Sequence, residues 1–274
     1  MIVKKLSRMP IYLLALFLLI FTGFPFLYML STSLKTQSHF FEEPFKLFSS
    51  FNLANYETVF NMGLTRYFFN SILVSTVAVI AVMIIASLAS YPLSRMNFKI
   101  NKVVFLLFIS GMMLPIHATL IPIFKLSQSF GVFDTLWALL GPYIAFSLPI
   151  SIFILTQFMQ EIPKSLEEAA KMDGCSHFGI FWRVILPMLT PALMTVLIYN
   201  FIHLWNEFIF ALVLLSSPEN MTLPLGLQDF KGEFSVNIPG LMAALTLASL
   251  PILVVYLFSQ EKVVKGLAGG AVKE

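Results

Sequence analysis

Six intervals of this chain carry no charged side chain: those between Arg8 and Lys35, Arg66 and Arg95, Lys102 and Lys125, Asp134 and Glu161, Arg183 and Glu207, and Glu233 and Glu261. Each runs past the ~20 residues that cross a bilayer as a helix. Hydrocarbon offers no partner to a free amide or carbonyl, so an apolar run of that length must satisfy its backbone internally, as a helix does. With 58% of residues apolar and 11% charged, the expectation is an all-α polytopic membrane protein with six transmembrane helices. The expected spans are Ile11 to Leu34, Tyr67 to Ser94, Val103 to Phe124, Thr135 to Gln160, Val184 to about Leu215, and about Phe234 to Gln260.

The first run follows Lys4, Lys5 and Arg8 as a signal peptide would. It exceeds the usual h-region of ~7 to 15 residues and lacks a clear small-residue cleavage site, so it reads as an uncleaved helix. An even number of spans puts both termini on one side. With the N-terminus inside, twelve Lys and Arg fall in inner segments, and only Lys35, Lys46, Arg66, Lys125 and Lys231 in outer ones. That bias orients the chain with both termini, and the connection around Glu168, in the cytoplasm. Three parts are expected: 1–66, a transmembrane helix with an external amphipathic segment; 67–260, a core of five spans including a cytoplasmic segment 162–183; and 261–274, a cytoplasmic tail.

Several classes are disfavoured. The net charge of +3 is small and spread over loops, which gives nucleic acid no footprint. The lone Cys175 excludes an internal disulfide and a CxxC pair, and reads as a small packing residue. There is no HExxH metal pair, GxSxG elbow or phosphate-cradling glycine loop, so the chain is expected to be no enzyme and to hold neither metal nor cofactor.

The most charged stretch joins the fourth and fifth spans. Ile162-Pro163-Lys164-Ser165-Leu166-Glu167-Glu168 reads as a helix start, with Ser165 as N-cap and Glu168 three positions on. Gly174 supplies a left-handed stop after about two and a half turns, and Ser176 can cap a following helix. Ala169 and Ala170 would leave one flat face, ringed by Glu167, Glu168, Lys171 and Asp173. Glu168-Ala169-Ala170, three residues, Gly174, nine residues, then Val184-Ile185-Leu186-Pro187 resembles the cytoplasmic coupling motif of ATP-binding-cassette importer permeases, with Val184 where the family has Ile. Asn55-Tyr56, Asn70-Ser71, Tyr91-Pro92-Leu93-Ser94-Arg95, Trp205-Asn206-Glu207-Phe208, Leu223-Pro224-Leu225-Gly226-Leu227 and the tail Lys265 to Lys273 resemble the carbohydrate-uptake group, in its smaller, second permease type. Ala268-Gly269-Gly270 and Cys175 depart slightly from that pattern.

The resemblance implies a type I ABC importer permease fold in a bacterial or archaeal plasma (inner) membrane. It also implies a second homologous permease, two ATP-binding subunits that hold ATP and Mg, an extracytoplasmic solute-binding protein, and a carbohydrate substrate such as an oligosaccharide or polyol. Glu168, Ala169, Ala170, Asp173, Gly174, Leu186 and Pro187 would couple to the ATPase, Glu168 facing a basic residue there. The resemblance also gives Leu227, Gln228, Asp229, Phe230, Lys231 and Gly232, in the external loop Ser216 to Ile238, contact with the docked binding protein.

Asn200, His203 and Glu207 share one face of the fifth span, with Asn206 adjacent. Polar groups at that depth must face protein or water, so they line the translocation pathway or hydrogen-bond to a helix of the partner permease. Trp205 either faces a pyranose ring or packs, and His117 lies between Pro115 and Pro122, where the third span should bend. Two other functions stay open: a proton-coupled secondary transporter using Glu207 and His203, and an ABC importer permease for a non-sugar solute.

Overall fold

The computed structural model describes residues 9–230 and 237–271, the side chains of 229–230 and 261–271 excepted. Every regular element among them is helical. In chain order these are α1 (Met9–Ser33), α2 (Gln37–Glu42), α3 (Ala54–Asn61), α4 (Leu64–Arg95), α5 (Asn101–Ser110) with a 3-10 turn Gly111–Met113, α6 (Ile116–Ser129) and α7 (Trp137–Glu161). There follow α8 (Lys164–Met172), α9 (His177–Ile180), a π-helical turn Phe181–Ile185, α10 (Leu186–Met188), α11 (Thr190–Trp205), α12 (Ile209–Leu214), α13 (Leu223–Gly226) and α14 (Ile238–Ala271).

Among the described residues, four helices are long and apolar enough to cross a membrane: α1, α4, α7, and α14 over Ile238–Gln260. Two bent pairs bring the number to six when each is one span: Asn101–Met113 with Ile116–Ser129, at 98°, and His177–Met188 with Thr190–Trp205, at 72°. The third span thus turns where Pro115 was expected to bend it. Pro115 lacks an amide hydrogen and pushes Leu114 to extended backbone, ψ 120°. Pro122 stays inside α6. The fifth span departs more from the single helix expected over Val184 to Leu215, being bent at Leu189 and interrupted again between Trp205 and Ile209. α14 continues helically to Ala271, past the expected end at Gln260.

The chain divides into two compact units, Met1–Arg66 with Gly226–Leu250, and Tyr67–Leu225 with Pro251–Glu274. In the first, α1 exposes its apolar length, as a lipid-facing helix does, and buries only Ser31, Thr32 and Ser33. Those residues anchor the segment beyond it: Ser31 Oγ accepts from Phe48 N at 2.6 Å, and Ser33 Oγ pairs with the Tyr56 hydroxyl at 2.7 Å. The Asn55 amide donates to Ser33 O and Lys35 O. Buried Lys35 turns its ammonium onto Glu43 O and Pro44 O, so its charge meets carbonyl dipoles instead of water.

The second unit holds a core of Tyr91, Ile152, Leu155, Met159, Ile180, Phe181, Ile185, Leu189, Ala192 and Val196, joining α4, α7, the π turn and α11. Ala170 and Ile162 belong to the same cluster, which seats α8 on the core. Gly111 permits a further close approach, since a Cβ there would lie 2.9 Å from Pro149 Cγ of α7.

Candidate functional site

The Glu-Ala-Ala segment folds as a nine-residue helix, α8. Gly174 takes φ +81°, as expected. Gly174 N donates to Lys171 O and Cys175 N to Ala170 O, both at 3.0 Å. These are the two bonds of a Schellman stop, and they fix where the chain leaves the helix. Ser176 caps α9 by accepting from Gly179 N at 3.2 Å. The N-terminal expectation fails: Pro163, not Ser165, stands at the cap, and no side chain caps it. Pro163 is already extended at ψ 129°, so the helix begins at Lys164 and Ser165 lies within its first turn.

The helix thus begins two residues earlier than expected. Glu167 and Ala170, three apart, are buried, while Ser165, Glu168, Ala169 and Met172 form an exposed stripe at i, i+3, i+4 and i+7. The two alanines therefore do not share one open face. Glu167 leaves the expected surface ring to lie 2.9 Å from Arg95 Nε, at the end of α4. The Nε hydrogen is not directed at that oxygen, so the contact is a charge pair without an aligned hydrogen bond. Sequence reasoning missed this pair, whose partners are 72 positions apart. Asp173 closes the helix and is exposed. Leu186 packs against the core, and Pro187 follows it near the start of the expected fifth span. It sits in α10, behind the wide π turn in which Leu186 N donates to Phe181 O, and ahead of the 72° bend.

At the far end of α11 the polar face separates into two roles. Asn200 is fully buried, its amide donating to Ser151 Oγ at 2.9 Å and Val196 O at 2.8 Å, and Ser151 in turn donates to Ser147 O. It ties α11 to α7 and is not among the residues that line the cavity beside Glu207. His203, Asn206 and Glu207 do come together, in a cavity of about 430 Å³ shared with Tyr143, Ser147 and Phe208. The break between α11 and α12 positions Glu207: Oε1 accepts from Phe210 N at 2.7 Å and Oε2 from Ala211 N at 3.3 Å, which caps α12. The Tyr143 hydroxyl donates to Oε2 at 2.9 Å. Tyr143 was not anticipated. The signal was the polar pair Asn206-Glu207 inside an apolar run, which marks an interruption. Trp205 is buried edge-on to Phe68 and stacked on Phe201, so it packs and offers no face to a sugar. His117 is exposed and lines none of this cavity.

The external loop is rooted by Asp134, in left-handed backbone at φ 57°. Its carboxylate accepts from Ser216 N at 2.8 Å, Ser217 N at 2.9 Å and the Ser217 hydroxyl. Burial favours the neutral acid, but the hydrogen bonds from Ser217, Ser216 and Asn220 outweigh it and hold this carboxyl at about 2. Asn70 donates to Glu219 O and Met221 O, and Ser71 Oγ accepts from Leu223 N. Leu227, Gln228, Asp229 and Phe230 form a 3-10 turn, and Lys231 and Gly232 lie outside the described residues.

The family described as binding-protein-dependent transport system inner membrane component matches residues 83–269. A putative ABC transporter permease protein, ORF2, of Caldicellulosiruptor sp. (strain Rt8B.4) is 49% identical over 250 residues, 91% of each chain. The trehalose/maltose transport system permease protein MalG of Thermococcus litoralis is 32% identical and covers 98% of each. The arabinooligosaccharides transport system permease protein AraQ of Bacillus subtilis is 32% identical over 80% of this chain and 78% of its own. Among solved structures, a chain of a bacterial ABC transporter involved in the import of the acidic polysaccharide alginate superimposes with a TM-score of 0.80 at 23% identity, over 94% of this chain and 96% of that one, and shares its fold. The chain belongs to the family of binding-protein-dependent transport system inner membrane components, the membrane permeases of ABC transporters.

Proposed function

We propose that this permease forms half of the translocation pathway of an ATP-driven carbohydrate importer, and that α8 is where a separate ATPase subunit engages it. The observation that carries the reading is the two-sidedness of α8. Its inner face is held by Ala170 and by the Arg95–Glu167 pair, and its outer stripe of Ser165, Glu168, Ala169 and Met172 is free to meet another protein. A short charged helix held on one side and bare on the other suits force transfer, because a push on it reaches the bundle instead of bending a loop. Glu168 then faces a basic group of the ATPase, whose subunits bind ATP and Mg. A homologous second permease completes the pathway, and both termini lie in the cytoplasm, as the charge bias indicates.

The saccharide substrate is supported by the relatives, which include permeases named for arabinooligosaccharides and for trehalose and maltose. In this reading His203, Asn206 and Glu207 line the route and offer donors and acceptors to hydroxyls. The segment Leu227 to Gly232 meets the docked binding protein. Replacing it by an inert linker should abolish stimulation of ATPase activity by loaded binding protein, and unchanged stimulation would remove that role.

The test of the whole reading is purification of the tagged chain from membranes with its stoichiometric partners. A second permease and a nucleotide-binding subunit, with hydrolysis stimulated by a sugar-loaded binding protein, support it. The chain alone, or a homodimer without ATPase activity, would sink it.

A further inference from the structure

Arg95 touches three elements at once. It ends α4, its Nε lies against Glu167 on the inner face of α8, and its Nη2 donates to Met159 O and, at 2.7 Å, to Ile162 O. The last two are carbonyls at the C-terminal end of α7 and in the turn into α8, and Met159 O also accepts from Ile162 N at 3.2 Å. The side chains of Arg95 and Glu167 are only 3% and 10% exposed. Among the described residues, this is the one ion pair that α8 makes.

As a stability device the pair is poor. Two desolvated charges without an aligned hydrogen bond recover little of their hydration, and an apolar pair of similar volume would serve as well. As a positional device it is effective. If α8 moved while α4 and α7 stayed, both charges would be stranded in a weakly polarisable interior, whereas joint movement leaves the pair and both carbonyl bonds intact. We propose that Arg95 is a positioning residue that makes α8 and the ends of α4 and α7 move as one body when the ATPase displaces α8. The proposal rests on the reading of α8 as the ATPase contact. It assigns to Arg95 and Glu167 a part that the exposed motif residues do not play.

The test uses the assembled transporter with Cys175→Ser, and spin labels at Leu88→Cys, exposed on α4, and Lys171→Cys, exposed on α8. The distance between them is measured without nucleotide and after trapping with ATP, Mg and vanadate. The parent should keep one distance in both conditions. Glu167→Gln and Arg95→Met should each show a shift on trapping, on the order of one helical turn or about 5 Å. A purely structural role is separated by the doubly apolar Arg95→Met/Glu167→Leu protein. The proposal requires it to regain thermal stability over the single variants while the distance still shifts. An unshifted distance in Glu167→Gln and in the double variant overturns the proposal, the parent remaining normally assembled and trapped. Failure of the parent to retain any ATPase subunit removes the reading of α8 itself, and this proposal with it.

Discussion

Gly174 offers a prediction that separates backbone strain from crowding. Its φ of +81° is disfavoured for L-residues, yet a Cβ built there meets nothing within 4 Å. Size is therefore irrelevant, and the cost of substitution is the cost of left-handed backbone. That cost is about 1 kcal/mol for Ala, roughly a fivefold drop in the population of the closed turn. It is larger for β-branched Val, and smaller for Asn, which tolerates this region through its local hydrogen bonding. The amides of Gly174 and Cys175, which donate to Lys171 O and Ala170 O, report the turn directly. Hydrogen exchange over residues 170–176 of the purified transporter should be about fivefold faster in Gly174→Ala, faster still in Gly174→Val, and near the parent rate in Gly174→Asn. Asn is larger than Ala and yet tolerates the turn. Exchange ordered by side-chain size, with Asn worse than Ala, would refute the argument.

Other consequences follow from the same geometry. Glu168→Lys inverts an exposed charge and should leave expression and thermal stability unchanged while uptake is lost; a lowered melting temperature would show that Glu168 serves the fold. Asn200→Ala should lower stability by about 1 kcal/mol, the scale of an interhelical hydrogen bond in a membrane bundle, whereas exposed His203→Ala should leave the thermal midpoint in place and alter uptake. The Asp134 carboxyl is held at about 2 against the ordinary 3.8 by its hydrogen bonds. Its contribution to the loop root is therefore full above about pH 4 and lost as pH falls through about 2. A spin label at exposed Glu219 should stay immobile down to about pH 4 and become mobile as pH falls toward about 2, and Asp134→Asn should show the mobile spectrum at pH 6. A transition above pH 5 would assign the loop to another group.

The spans were legible because hydrocarbon imposes a single solution on long charge-free runs, and the stop at Gly174 was legible because few residues other than glycine accept that backbone. The bend at Pro115 was equally local. What escaped the sequence depended on distant partners or on a helix start two residues early. Ser165 looked like a cap because its spacing to Glu168 suited one, but Pro163 starts the helix earlier, and Glu167 and Ala170 face inward. No local pattern says which of two adjacent carboxylates meets an arginine 72 positions away. Asn200 and Glu207 share a face by periodicity, yet one bonds to α7 below the cavity and the other caps a helix at a break that periodicity assumes away. Trp205 lay in the same stretch, and only its neighbours Phe68 and Phe201 show that it packs.

The most direct test of the central claim places a photoreactive residue along α8, or at Ile180 of α9, in membranes that contain the whole transporter. From Met172, 88% exposed, and from Ala169, on the same stripe, the label should cross-link to a nucleotide-binding subunit, and from buried Ala170 or Ile180 to this chain alone. Adducts from the outer stripe that contain only this chain or lipid, with the transporter intact, would contradict the account.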